Sequence, residues 1–173
     1  MDNRINANYK NLERIINWIQ NADYKASIIL LFNGGIIAIL ADKLSNLLKF
    51  ILSANLILMH IYLILIFVFF ILFLLSIYNA FKVLLPDVKS RSKYKLFFFM
   101  SICDLSKEEF TEKMKLLSDD EIIENLSEQS YITSEIAKTK FYHLGKSWKF
   151  LAISFIFLII LLIINSFHFY GIN

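Results

Sequence analysis

The polar side chains best placed to bind a ligand lie along one face of a helix that is predicted to begin near Asp119. Apolar and polar residues recur there at alternating steps of four and three, the spacing of a single helical face. The members of this face are Ile122, Leu126, Gln129, Thr133, Ile136, Lys140 and His143. Polar groups on a largely apolar face need hydrogen-bonding partners. A base or a phosphate would supply them, and so would neighbouring helices in a partly hydrated packing face.

A basic tract follows the longest apolar segment of the chain. Its cations are Lys89, Arg91, Lys93 and Lys95. Such a tract next to a membrane span can hold the phosphate of a ligand or contact anionic lipid headgroups. The candidate ligand-binding residues are therefore Gln129 for a base, and Lys140, Arg91 and Lys93 for a phosphate.

The chain lacks the spacings that mark common catalytic and metal sites. There is no HExxH, no CxxC and no glycine-rich phosphate loop, and the three histidines are far apart in sequence. Most carboxylates fall near predicted helix starts, where they stabilise the helix end. With 18 Lys and Arg against 15 Asp and Glu, the charge is also too balanced for broad contact with a nucleic-acid polymer. We predict no enzyme, no metal and no cofactor.

Three apolar segments predict three membrane spans in a chain that is 57% hydrophobic. The segment 56–78 is long enough to cross a hydrocarbon core of about 30 Å at 1.5 Å per residue. The segment 151–164 crosses when its flanks are added. The segment 26–41 is shorter and contains Asn33, Gly34 and Gly35, so it either spans with its flanks or forms a re-entrant or kinked segment. A connection is predicted between Asp42 and Asn55.

Small residues form a stripe along this first apolar segment. The stripe consists of Ser27, Gly34, Ala38, Ala41 and Ser45. Small side chains let membrane helices approach closely, so Asn33, Gly34, Gly35 and Ala38 are predicted to mediate packing or gating. Asn33 is predicted to bond to a neighbouring helix or to its own copy in a homo-oligomer.

The remaining sequence predicts helices around these spans. An apolar face in the N-terminal segment, made of Ile5, Tyr9, Leu12, Ile16 and Ile19, predicts an amphipathic helix that packs on the central domain or lies on lipid. Capping boxes at Ser106 and Ser118 start two further helices. The second reaches at least Trp148, and nothing prevents it from continuing into the third span.

Together these patterns predict an all-α membrane protein with three transmembrane helices and a small helical cytoplasmic domain inserted between the second and third. The predicted segments are an amphipathic helix (1–22), the first two spans (23–85), the helical domain (86–148) and the third span (149–170). Lysine and arginine are concentrated in the N-terminal segment and in the central domain. By the positive-inside rule both are cytoplasmic, and the C-terminus lies outside.

Several motifs resemble one protein family. They are Trp18 followed by Ala22-Asp23-x-Lys25-Ala26, Phe32-Asn33-Gly34, the stretch 96–102 (LFFFMSI) followed by Ser106 to Phe110, and Glu128-Gln129 through Ile136 to Lys140-Phe141-x-x-Leu144. In their order and spacing, from about Trp18 to Ser166, they resemble the transmembrane effectors of Pycsar antiphage systems.

The resemblance implies an activating ligand and an effect on the membrane. In such systems a partner cyclase, triggered by infection, makes a cyclic pyrimidine mononucleotide such as cyclic CMP or cyclic UMP. The effector senses it and impairs the bacterial inner membrane, which causes abortive infection. The alternative that the residues leave open is a constitutive membrane scaffold or anchoring subunit that recruits a cytoplasmic partner.

Overall fold

The computed structural model describes residues 3–53, 55–85 and 102–170. Four helices lie within these ranges: α1 (Asn3–Ser53), α2 (Leu56–Leu84), α3 (Lys107–Leu116) and α4 (Asp119–Tyr170). Three of them, α1, α2 and α4, are long and apolar enough to cross a membrane. The prediction of an all-helical fold with three helices long and apolar enough to span a membrane is therefore confirmed, and the small cytoplasmic domain between the second and third stays a prediction.

The helix ends follow the sequence except at the first connection. Helix α2 ends at Leu84, two residues before Pro86, because the residue that precedes a proline disfavours helical backbone. Helix α4 continues without a break past Gly145. The predicted connection from Asp42 to Asn55 is wrong, because α1 continues to Ser53. Residues 44–52 contain neither glycine nor proline and four of the nine are leucine, a strong helix former. The first apolar segment is thus helical throughout, not re-entrant.

The turn after α1 is closed by side chains on both sides of it. The Asn55 Oδ1 atom accepts a hydrogen bond from the Leu58 amide at 2.9 Å, which caps the first turn of α2. The Phe50 and Tyr62 rings, both almost fully buried, have centroids 4.3 Å apart. The two helices are therefore joined by a short hairpin with an aromatic contact near its tip.

Contacts divide the chain into two compact units. Unit 1 comprises residues 1–23 and 85–141, and unit 2 comprises residues 24–84 and 142–173. The N-terminal part of α1 therefore belongs to the same unit as α3 and the first part of α4. For this helical segment the structure favours packing on the central region over a position on lipid.

Helix α1 buries one face with a period of 3.5 residues, which we call the α1 seam. Its buried or half-buried members are Ile5, Asn8, Leu12, Ile15, Ile19, Ala22, Ala26, Ile29, Asn33 and Ile36. Steps of three and four keep such a face turned towards partner helices over a long distance. The predicted face contained Tyr9 and Ile16 instead of Asn8 and Ile15, but Tyr9 and Ile16 are exposed.

Helix α4 has a corresponding α4 seam along most of its length. Its members are Leu126, Ser130, Thr133, Ala137, Lys140, Leu144, Ser147, Leu151, Ser154, Leu158, Leu161 and Asn165, all buried except the half-buried Thr133. The predicted face shares Leu126, Thr133 and Lys140 with it. The other predicted members, Ile122, Gln129, Ile136 and His143, are half-buried beside the seam. The predicted spacing was correct, but the buried face is turned around the helix from the predicted one, with Ser130, Ala137 and Leu144 in place of Gln129, Ile136 and His143.

Candidate functional site

In unit 1, three neighbouring polar side chains of α4 carry buried atoms without a hydrogen-bonding partner among the described residues. These atoms are Asn125 Oδ1, Gln129 Nε2 and Ser130 Oγ. Asn125 is 2% exposed and Ser130 is 7% exposed. A buried polar atom that lacks a hydrogen bond costs about 1–3 kcal/mol. This α4 polar cluster, Asn125, Gln129 and Ser130, therefore has unmet capacity both to donate and to accept.

The first turns of α4 fix the position of the cluster. The Ser118 amide donates to Glu121 Oε2 at 2.8 Å, and the Glu121 amide donates to Ser118 Oγ at 3.3 Å, which is the predicted capping box. These hydrogen bonds lower the pKa of the Glu121 carboxyl. The cap therefore stabilises the helix at neutral pH and weakens only when acid protonates Glu121. One turn later, Asn125 Nδ2 donates to the Glu121 carbonyl at 2.6 Å, which orients its amide.

Lys140, the predicted phosphate contact, lies on the α4 seam within unit 1. Its Nζ is 2.5 Å from Asp23 Oδ1 of α1, and the two side chains are 10% and 37% exposed. Removing one partner of a buried pair is costly, because the other charge then lacks compensation. An anionic ligand that binds Lys140 must therefore compete with Asp23.

The structure places Gln129, the predicted base contact, apart from Lys140. Gln129 and Lys140 are 11 positions apart on α4, which is about 16 Å along the helix axis at 1.5 Å per residue. One mononucleotide can reach both only if it lies lengthwise along the helix. Arg91 and Lys93 lie outside the described residues.

Unit 2 contains a polar network between three helices that the sequence analysis only partly foresaw. Ser147 Oγ of α4 donates to the Ser76 carbonyl of α2 at 2.8 Å, and Ser76 Oγ donates to the Ser147 carbonyl at 3.1 Å. Asn33 Nδ2 of α1 donates to the Ile29 carbonyl at 2.8 Å and to Ser76 Oγ at 3.4 Å. Asn33, Ser76 and Ser147 are each at most 1% exposed. The prediction that Asn33 bonds to a neighbouring helix is confirmed.

A second polar contact extends this network. His143 Nδ1 of α4 lies 3.0 Å from Asn79 Oδ1 of α2, and Asn79 Nδ2 donates to the Leu75 carbonyl. Ser76, Asn79 and Ser147 were not among the predicted site residues. The sequence contained a signal for them, because Ser76 and Asn79 lie three residues apart in a stretch of α2, 61–81, that has no charged residue, and polar groups there must face protein.

Gly34, Gly35 and Ala38 do not pack α1 against the other described helices. All three are exposed, and a Cβ atom added at Gly34 or Gly35 would meet nothing within 4 Å. The physical reason is that Asn33 must be buried, and the next two positions are turned 100° and 200° away from it. The predicted role of these residues in packing within one chain is therefore wrong. A contact with another copy stays a prediction.

Within 3–53, 55–85 and 102–170, no group of three or more His, Cys, Asp or Glu side chains is arranged to hold a metal ion. Cys103 is exposed and free. The polar arrangement is suited instead to binding an organic ligand through hydrogen bonds, because amides and hydroxyls predominate.

The comparison with protein families connects this arrangement to one family. The family model of the Pycsar effector protein domain matches residues 8–165. This range includes the α4 polar cluster, the Asp23–Lys140 pair and the network of Asn33, Ser76 and Ser147. No curated protein and no solved structure matches the chain. The match supports a role as an antiphage effector. Because it extends over most of the sequence, the chain belongs to the Pycsar effector protein domain family.

Proposed function

We propose that the protein is an antiphage defence effector that senses a cyclic pyrimidine mononucleotide and impairs the inner membrane, causing abortive infection. The ligand is cyclic CMP or cyclic UMP made by a partner pyrimidine cyclase. The observation that carries the proposal is the match to the Pycsar effector protein domain over residues 8–165. Three helices able to cross a membrane fit the site of action.

The base of the nucleotide binds at the α4 polar cluster in unit 1. A pyrimidine presents both donors and acceptors at its edge, and the cluster offers Asn125 Oδ1 as an acceptor, Gln129 Nε2 as a donor and Ser130 Oγ as either. Satisfying these buried atoms would convert a destabilising arrangement into a source of binding energy.

The phosphate of the nucleotide binds Lys140 in place of Asp23. With the base at Gln129, the end of the cluster nearer Lys140, the nucleotide lies along α4 with its phosphate directed towards the extended Lys140 side chain. Arg91 and Lys93 supply further positive charge. Exchange of one carboxylate for one phosphate keeps Lys140 paired, which avoids leaving a buried charge alone.

Binding acts on the membrane through α1 and α4, each of which contributes residues to both units. The protein exchanges between a resting and an active arrangement of these helices, and a ligand shifts this equilibrium only as far as it binds the active arrangement more tightly. A change in the ratio of active to resting protein from 1:99 to 99:1 needs a difference in binding free energy of about 5.5 kcal/mol. Association of copies into a homo-oligomer supplies part of this preference. In the bilayer the N-terminus and residues 86–148 are cytoplasmic and the C-terminus lies outside.

The proposal is tested by expression with and without a pyrimidine cyclase. We expect cells with the effector alone to grow normally, and cells that also make the cyclic nucleotide to admit a membrane-impermeant dye and stop growing. Gln129→Leu should weaken calorimetric binding about tenfold, the effect of about 1.4 kcal/mol from one lost hydrogen bond. The matched control is Gln20→Leu, at an exposed position of α1 in the same unit.

Two results would contradict this function. Equal growth with and without the cyclase would favour a constitutive scaffold that recruits a cytoplasmic partner. Equal affinities of Gln129→Leu, Gln20→Leu and the unchanged protein would remove the α4 polar cluster from the site.

The exposed glycines of α1 give a separate prediction about the membrane step. Gly34→Leu should fold normally, because the space around Gly34 is open in the single chain. It should block dye influx while leaving nucleotide affinity unchanged, since a leucine prevents the close approach of another helix. Gly34→Ala serves as a graded control that adds only one methyl group. Dye influx at the normal rate in Gly34→Leu would exclude Gly34 from the mechanism.

A further inference from the structure

Unit 2 has an apolar groove of about 270 Å³ between α1 and α4. It is lined by Phe32 and Ile36 of α1 and by Trp148, Leu151, Ala152 and Phe155 of α4. No polar side chain lines it. Its volume is close to the lower limit of small-ligand sites. A flexible hydrocarbon chain fits such a lining, whereas a polar molecule would lose hydrogen bonds to water on entering.

The end of unit 2 that contains Trp148 is positively charged. Lys25, Lys82, Lys146 and Lys149 lie near this end, while Asp42 is the only acidic residue in 24–84 and 142–173 and lies beyond the groove along α1. Lys149 is exposed and follows Trp148 directly. Lys146 has its Nζ 4.3 Å from the centroid of the Tyr142 ring.

The two lysines closest to the groove are placed by helical spacing. Lys149 precedes Ala152 by three residues, so the two are neighbours on the surface of α4. The surface one turn before Lys149 is open, because a Cβ atom added at Gly145 would meet nothing within 4 Å. Lys25 precedes Phe32 by seven residues, which places it on the same face of α1 about 10 Å along the axis. At the other end, Lys43 follows Ile36 by seven residues but is paired with Asp42 at 2.9 Å. The groove therefore has its excess of positive charge at the Trp148 end.

We propose that this groove binds one acyl chain of an anionic phospholipid, with the lipid phosphate held by Lys149 and Lys25. Trp148 lies where the chain meets the headgroup, a position that tryptophan favours at membrane interfaces. The lysines favour an anionic over a zwitterionic headgroup. The groove holds one lipid molecule in place, in contrast to a general accumulation of anionic lipid around the protein. The site is independent of the proposed nucleotide site, which lies in unit 1.

The test uses Trp148 as a probe in the full chain. Trp18→Phe leaves Trp148 as the single tryptophan, since the sequence has two. This protein is placed in vesicles of phosphatidylcholine to which one brominated lipid is added. The added lipid is either phosphatidylglycerol or phosphatidylcholine, in each case with bromine on one acyl chain. Brominated lipid quenches a nearby indole. We expect phosphatidylglycerol to be enriched at Trp148 at least about fivefold over phosphatidylcholine, since each lysine near the surface contributes about 1 kcal/mol.

Three variants separate a built site from general attraction. Lys149→Gln should lower the preference for phosphatidylglycerol, with Lys25 still contributing, whereas Lys49→Gln, at an exposed position near the other end of α1, should not change it. Ala152→Phe fills the groove from an exposed position and keeps every charge, so it should reduce the preference for phosphatidylglycerol.

Equal quenching by the two lipids in the starting protein would overturn the proposal, and is the result expected if a second copy fills the groove. A preference for phosphatidylglycerol that survives Ala152→Phe would overturn it too, because diffuse charge alone would then explain the enrichment. Circular dichroism of each variant shows that the helices are retained.

Discussion

Lys140→Met is expected to weaken binding of the cyclic nucleotide by about tenfold to a hundredfold. A hydrogen bond to a charged group contributes about 1.5–3 kcal/mol, and each 1.4 kcal/mol corresponds to a factor of ten in affinity. Methionine keeps most of the length of lysine and can remain on the α4 seam, where Lys140 is 8% exposed. The measurement is isothermal titration calorimetry of the full chain with cyclic CMP and cyclic UMP.

Asp23→Asn should change affinity in the opposite direction. If the phosphate must take Lys140 from Asp23, weakening that pair makes binding easier, and affinity should rise about fivefold for a half-exposed pair that contributes about 1 kcal/mol. Both variants should lower the free energy of unfolding, since each removes one charge from a pair in which the Lys140 side chain is only 10% exposed.

The opposite signs distinguish a ligand contact from a purely structural pair. If the Asp23–Lys140 pair only stabilised the fold, Lys140→Met and Asp23→Asn would change nucleotide affinity in the same way, and affinity would fall in both variants or in neither. Lys138→Met is the matched control, because Lys138 is exposed on the same helix two residues away. A loss of affinity in Lys138→Met as large as that in Lys140→Met would assign the effect to net charge.

Much of the fold could be predicted because hydrophobic length and cap chemistry are local properties. The three spanning helices, the end of α2 at Leu84 and the capping boxes at Ser106 and Ser118 all depend on residues within one helix or one turn. The end of α1 was predicted wrongly, because the connection was placed at Asp42, where the apolar segment 26–41 ends and Asp42 and Lys43 follow. These side chains pair with each other at 2.9 Å on the helix surface and do not interrupt it.

The buried faces were harder to predict, since they depend on partner helices. In α4, the faces that contain Gln129 and Ser130 are adjacent, and both follow steps of four and three residues. Only the partner decides which face is fully buried. In α1 the packed face was predicted at the glycines, which are exposed. The buried face is the one that contains Asn33, because exposing its amide to lipid would be costly. In a membrane helix the polar residue is therefore a better guide to the packed face than the small residues.

Ser147→Leu is expected to destabilise unit 2 more than any other single change that we consider there. Ser147 is fully buried and exchanges two hydrogen bonds with Ser76 at a close crossing of α2 and α4. Overpacking a buried position typically costs about 1–3 kcal/mol, and a hydrogen bond between membrane helices contributes about 0.6 kcal/mol. We therefore expect a loss of about 3 kcal/mol in the free energy of unfolding, together with loss of nucleotide-triggered dye influx.

The matched control for this change lies on the same helix. Ser166→Leu introduces the same side chain at an exposed position and should change the free energy of unfolding by less than about 0.5 kcal/mol. Ser147→Ala, which removes only the hydroxyl, should cost about 0.6 kcal/mol. Denaturant titration in detergent micelles, followed by far-ultraviolet circular dichroism, measures all three. If Ser147→Leu unfolds at the same denaturant concentration as Ser166→Leu, α2 and α4 do not cross closely at Ser147, and the polar network does not hold the three helices together.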